Sequence, residues 1–220
     1  MNLTEAMEAR HSVRRYLDKP IEPEKAEALQ KEIEKINAES GLHIQLICNE
    51  PKAFSGPLAH YGSFIGCKNY FVLAGPKNMA EAAGYYGEKI VLFSQQLGLN
   101  TCWVALTYNK GKVPAQIRKG EKIHIVIALG YGETQGTPHK SKPMETLCKV
   151  SGEMPEWFKN AMTAALNAPT AVNQQKFLFT LKDNDTVEAK AFLGPCSKID
   201  LGIVKCHFEI GAGDHPFKWA

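Results

Sequence analysis

The sequence predicts an α+β fold in which helices flank an antiparallel or mixed sheet. Three observations predict it. Apolar residues recur at steps of three and four from Ala26 to Ile36 and from Met79 to Leu97, the helical period. Short apolar runs, Tyr70–Ala74 and Ile123–Leu129, have the length of buried strands. The two kinds of segment follow one another without the regular β-α alternation of a doubly wound parallel sheet.

Each element has a local reason. Asn2 can cap a first helix over Leu3–Ala9. Pro23 suits the first turn of a second helix, on which Ala26, Leu29, Ile33 and Ile36 share a face before the stop at Ser40-Gly41. His43 to Cys48 alternates as a strand, and Pro51 to Gly66 reads as a loop. Tyr70–Ala74 ends at Gly75-Pro76. Met79, Ala82, Ala83, Tyr86, Ile90, Phe93 and Leu97 then form one face of the longest helix, ended by Gly98.

Thr101–Leu106 reads as an apolar connection or strand, and Pro114–Lys119 as a short helix stopped by Gly120. The polar, basic loop Gly130–Pro143 lies near the expected division of the chain into a first part, residues 1–150, and a second, 151–220, forming one compact unit. Glu156–Leu166 is a helix that must stop before Pro169. Phe177–Leu181 is a strand, Asp183-Asn184-Asp185 a turn, and Ile199–Ala212 the last helix. A faint repeat relates Tyr86-Gly87 through Phe93-Ser94 to Leu201-Gly202 through Phe208-Glu209.

Composition narrows the function. The chain has 220 residues, 44% of them apolar, enough for a substantial core. Its formal charge of +3 is too small for a surface-wide field directed at nucleic acid or anionic lipid. No stretch approaches a membrane span, and the first residues lack an apolar leader, so a soluble, cytoplasmic protein is expected. The six cysteines include no C-x-x-C pair and are expected reduced. Cys206 and His207 are adjacent on a helix and point to different faces, so no metal is expected.

Three segments carry chemistry. Arg10, Arg14 and Arg15 stand beside His11 and Ser12, a set of forked and hydroxyl donors suited to phosphate. Gly130-Tyr131-Gly132 follows the strongest strand but lacks the rest of a dinucleotide fingerprint; His139, Lys140 and Lys142 downstream could meet an anion. Asn167, Asn173, Gln174 and Gln175 surround a proline-broken loop whose carboxamides could read the amide edge of a heterocycle. Trp103, among small residues, could wall a planar ligand.

Taken together, these segments resemble the FMN-dependent nitroreductases. Arg10-His11-Ser12-Val13-Arg14, followed by Tyr16, is similar to the family's R-x-S-x-R phosphate motif. Ala168-Pro169-Thr170-Ala171-Val172-Asn173-Gln174-Gln175 is similar to its A-P-S-A-x-N-x-Q loop, and Gly98-Leu99-Asn100-Thr101-Cys102-Trp103 to its G-L-G-x-x-W. Gly130-Tyr131 with Lys140-Ser141-Lys142-Pro143 is similar to its G-Y strand end and basic K-x-K. The order departs from the family: the Asn-bearing loop comes near the C-terminus instead of early. The chain therefore resembles a divergent subgroup with rearranged motifs, in which one polypeptide holds two degenerate copies of a core that other members assemble as a homodimer.

The resemblance implies a nitroreductase-like fold binding FMN, as a single-chain pseudo-dimer or a homodimer. Arg10, His11, Ser12 and Arg14, with Lys140 or Lys142, would contact the flavin phosphate. Asn173, with Gln175 beside it, would face the pyrimidine side of the ring, and Trp103, Val104 and Ala105 would approach the flavin edge. The implied reaction takes hydride from NAD(P)H and reduces a small planar acceptor, with the flavin carrying the chemistry and no dedicated catalytic side chain. Two other readings stand beside it. One is an FMN-binding protein with a flavin-handling or dehalogenating role; the other is a non-enzymatic nucleic-acid-binding protein using Lys110 through Lys122.

Overall fold

A computed structural model of the chain describes residues 1–220. Helix α1 spans Leu3–Ala9 and is held by a reciprocal cap: the Asn2 side chain accepts from the Glu5 amide while the Glu5 carboxylate accepts from the Asn2 amide. Helix α2, Pro23–Ser40, carries Pro23 in its first turn and buries Leu29, Ile33 and Ile36. It ends where Gly41 turns left-handed at φ 72°.

Strands β1 (His43–Ile47), β2 (Asn69–Pro76), β3 (Asn100–Val104) and β4 (Glu121–Gly130) form an antiparallel sheet in the order β1-β2-β4-β3. The two central strands are buried on both faces, which is why Tyr70–Ala74 and Val126–Leu129 read as unbroken apolar runs. The stretch expected as a loop, Pro51 to Gly66, instead holds a 3-10 turn over Lys52–Phe54 and the short helix α3, Pro57–Tyr61. Phe54 packs against Phe64 and Tyr70 there, so this segment has its own apolar anchor.

The helix expected over Pro114–Lys119 does not form. Gln45 donates to the Gln116 carbonyl at 2.9 Å and accepts from the Gln116 amide at 2.8 Å. That clasp takes both backbone groups that a helix would need.

Beyond residue 143 a second sheet forms from β5 (Cys148–Val150), β6 (Phe177–Lys182), β7 (Thr186–Ala191) and β8 (Lys218–Trp219), in that order. It is mixed: β6 and β7 are antiparallel, while β5 joins β6 and β8 joins β7 in parallel. Asn184 and Asp185 turn the hairpin at φ 54° and 51°, conformations these residues tolerate. β5 and β8 are too short to show a sequence period.

Helix α4 spans Ala80–Gln96, α5 Glu156–Ala165 and α6 Ser197–Ala212. Of the face expected on α4, Ala83 and Ile90 are buried, but so are Gly84, Gly87, Glu88 and Val91 on other sides. The reason is that α6 crosses α4 in backbone contact: a Cβ on Gly84 would lie 2.0 Å from the Ile199 carbonyl oxygen, and one on Gly202 1.9 Å from that of Glu81. A single apolar core links the first sheet to α5, α6 and the second sheet, running from Ile33, Leu73 and Ile127 to Phe158, Phe179 and Phe208. No helix is long and apolar enough to cross a membrane.

Candidate functional site

Past α1 the chain becomes extended and lies along β3. Ser12 bridges to Thr101, and the Val13 amide donates to the Thr101 carbonyl at 3.0 Å. Extended residues alternate in direction, so buried Val13 faces the core while Arg10, Ser12 and Arg14 share the other side. Tyr16, 4% exposed, ends the segment with its hydroxyl donating to the Val13 carbonyl at 2.7 Å.

That side opens into a cleft with two ends. The anion end, about 300 Å³, is lined by Arg10, His11, Ser12, Arg14, Thr137, His139 and the loop residues Pro169, Thr170, Val172 and Asn173, with no carboxylate among its lining residues. The adjoining ring end, about 100 Å³, shares Ser12, Arg14, Pro169, Thr170 and Val172 with it and adds Trp103, Ala105, Ile125, Ala171, Cys196, Ile199, Ile203 and one carboxylate, Asp200. Gly87 makes room for the indole, since a Cβ there would lie 2.5 Å from the Trp103 ring.

The cations differ in kind. Arg15 pairs with Glu133 at 2.8 Å, leaving the exposed Arg14 as the cation without a carboxylate partner. Arg10, a candidate phosphate contact, is only 3% exposed; its Nη2 donates to the Asn167 carbonyl at 3.3 Å and its Nε lies 3.6 Å from Glu88 without a hydrogen bond. Burial pulls its guanidinium below the ordinary value, against the pull of Glu88. Burial also lowers His11 and His139, and Arg10 adds to the effect on both, while the Leu166 carbonyl opposes it at His139.

Several predicted residues lie elsewhere or are already engaged. Lys142 Nζ donates to the carbonyls of Gln174 and Gln175 at 2.8 and 3.2 Å, and neither Lys140 nor Lys142 lines the cleft. Gln175, 4% exposed, accepts from the Lys142 amide and donates to the Lys140 carbonyl and to Asn173 Oδ1. Asn173 lines the anion end, yet its Nδ2 donates to the Lys140 carbonyl at 2.9 Å. These bonds stitch the basic loop to the carboxamide loop. Val104 packs into the core, and only Ala105 of that pair reaches the cleft.

Two residues escaped the sequence reading. Asp200 on α6 holds the carboxamide loop through the Ala171 amide and Gln174 Nε2, with its pKa raised by burial against those hydrogen bonds. Glu88, wholly buried on α4, accepts from Trp103 Nε1 at 2.9 Å and meets His207 Nε2 at 2.8 Å. Nothing in Tyr86-Gly87-Glu88-Lys89 separates a buried acid from a solvated one, because the partners come from distant segments.

Fold and cleft together define an α+β protein with a site that is cationic at one end and mostly apolar at the other. The chain belongs to the family described as Putative TM nitroreductase, whose model matches residues 2–212. It is similar in structure to a putative nitroreductase from Thermotoga maritima MSB8, at 22% identity over 96% of this chain and 83% of that one, with a TM-score of 0.68. It is also similar to a putative nitroreductase in complex with FMN from Desulfovibrio desulfuricans, at 18% identity over 70% of this chain and 98% of that one (TM-score 0.51). A nitroreductase family protein from Streptococcus pneumoniae TIGR4 is 14% identical over 66% of this chain and 98% of that one (TM-score 0.51). These likenesses bear out the expected α+β, nitroreductase-like fold. No curated protein matches the chain.

Proposed function

We propose that the cleft binds FMN and that the protein is an FMN-dependent oxidoreductase, taking hydride from NAD(P)H and passing electrons to a small planar acceptor such as a nitroaromatic or quinone. The observation that carries this reading is the lining of the anion end: two arginines, two histidines and three hydroxyl side chains with no carboxylate, opening directly onto a mostly apolar slot walled by Trp103. A phosphate near charge −2 needs such donors to leave water. The residues therefore fit the cofactor: Arg14 and Ser12 would hold the phosphate, with the buried Arg10 Nε an unused donor behind them.

When bound, FMN supplies the hydride and electron chemistry. The protein binds and orients. Ile125, Ile199 and Ile203 exclude water from the ring end, and Trp103 sets the plane against which a flat molecule can lie. Both walls come from one chain: Arg10–Arg14 and Trp103–Ala105 on one side, Pro169–Asn173 and Cys196–Ile203 on the other. This supports the pseudo-dimer reading, with residues 1–150 and 151–220 as its two degenerate parts and flavin affinity independent of protein concentration.

The test is the visible absorption spectrum of the purified protein before and after NADH or NADPH. A flavin spectrum that bleaches and recovers on adding a quinone is the expected result. Colourless protein that does not take up added FMN would overturn the reading.

A further inference from the structure

The geometry points to Glu88 as a positioning residue that couples the anion end of the cleft to its ring end. The inference rests on the proposed reading of those two ends.

Glu88 is 0% exposed on α4, away from the cleft surface, and three side-chain nitrogens from three other segments converge on its carboxyl group. Trp103 Nε1 donates to Oε2 at 2.9 Å; His207 Nε2 lies 2.8 Å and Arg10 Nε 3.6 Å from Oε1. Trp103 walls the ring end and Arg10 lines the anion end. His207 is itself anchored, its Nδ1 lying 3.1 Å from the Ala164 carbonyl. The Ala164 carbonyl can only accept, so Nδ1 carries a hydrogen. The set is a buried carboxylate shared among groups that belong to opposite ends of the cleft.

A buried carboxylate is weak evidence for stability, because its desolvation offsets the attraction to its partners. What the arrangement provides is linkage. Arg10 Nε is close enough to Glu88 for strong attraction in a low-dielectric interior, yet makes no hydrogen bond. An anion seated in front of Arg10 draws on the same guanidinium charge and relaxes its hold on Glu88. The carboxylate then turns more fully to Trp103 and His207, and the indole hydrogen bond strengthens. By reciprocity, weakening the Trp103 bond tightens Glu88 on Arg10 and weakens anion binding by the same factor.

The test uses the full chain, freed of any flavin, and inorganic phosphate, which can occupy only the anion end. The Trp103 indole N–H resonance, assigned with Trp103→Phe, is expected to move downfield as phosphate saturates, while those of Trp157 and Trp219 stay in place. Trp103→Phe, which removes nothing from the anion end, is expected to lower phosphate affinity about fivefold. Glu88→Gln should abolish the resonance shift and raise phosphate affinity. If Glu88→Gln fails to fold, the Trp103→Phe comparison decides alone. A stationary Trp103 signal at saturation, equal affinity in Trp103→Phe and wild type, or no phosphate binding at all would each overturn the coupling. An FMN titration of the same samples separates the two ideas: FMN binding without coupling removes only this inference, whereas phosphate coupling without FMN binding removes the cofactor reading.

Discussion

The backbone amide of Ala171 donates to both carboxylate oxygens of Asp200, at 3.0 and 3.1 Å. Asp200 stands in the first turn of α6, where the helix dipole favours a negative charge. It thereby fastens the carboxamide loop in a conformation the loop would not choose: Val172, β-branched and 90% exposed, is held at φ 46°, and Asn173 and Gln175 are also left-handed.

Asp200→Ala is expected to cost about 2 kcal/mol, the range for hydrogen bonds to a charged acceptor. Val172→Gly, which relieves the left-handed strain, should return about 1 kcal/mol. Urea unfolding measures both. A Val172→Gly protein less stable than wild type would show that the loop conformation is not strained.

The crossing of α4 and α6 leaves no space for a methyl group, because the nearest atoms are backbone oxygens. Gly84→Ala and Gly202→Ala should each destabilise by about 3 kcal/mol, at the upper end for overpacking. Gly98→Ala has open space around it and pays only for its φ of 76°, so its loss should be smaller. Thermal unfolding of the three variants checks the ranking.

The two cleft arginines should separate cleanly. Arg14→Ala removes an exposed side chain and should leave stability within about 0.5 kcal/mol. It should weaken FMN about tenfold, the loss of one charged hydrogen bond, while leaving riboflavin, which lacks the phosphate, unchanged. Arg10→Ala strips a buried partner from Glu88 and should destabilise by about 3 kcal/mol. Calorimetric titration with both flavins and denaturant unfolding measure the two effects.

Stability should fall on mild acidification. His11, His124 and His139 all titrate below the ordinary 6.5 in the folded chain, through burial first. The unfolded state therefore takes up protons earlier as pH falls, so the stability these groups contribute is complete above pH 6.5 and is lost as pH drops through their folded values. His139→Gln should flatten the Tm profile in that window, and an unchanged slope would exclude His139 as a contributor. Glu22, held to about 2 chiefly by the Tyr131 hydroxyl, contributes only in a separate and more acidic range.

Much of the frame was legible because its causes are local. The Asn2 cap, Pro23 in a first turn, and Gly41 and Gly98 as left-handed stops all act within a few residues of themselves. The central strands were legible because two-sided burial leaves a continuous apolar run. Pro114–Lys119 misled for the opposite reason: its helical composition yields to the side chain of Gln45, which is distant in sequence. Arg10 and Lys142 looked alike as basic residues, but one is buried against Glu88 and the other is engaged by two carbonyls.

What the sequence determined by itself is the inventory: an α+β chain, an arginine-serine segment, a tryptophan among small residues and a carboxamide loop, each readable because propensity, capping and donor chemistry are properties of neighbouring residues. Only the tertiary structure decided which of these meet. The backbone approach of Gly84 and Gly202, the seating of the Arg10–Arg14 segment along β3 and the convergence of Arg10, Trp103 and His207 on Glu88 join residues far apart in the chain. Burial and pairing at such points depend on what the rest of the fold brings alongside, and no local pattern records that.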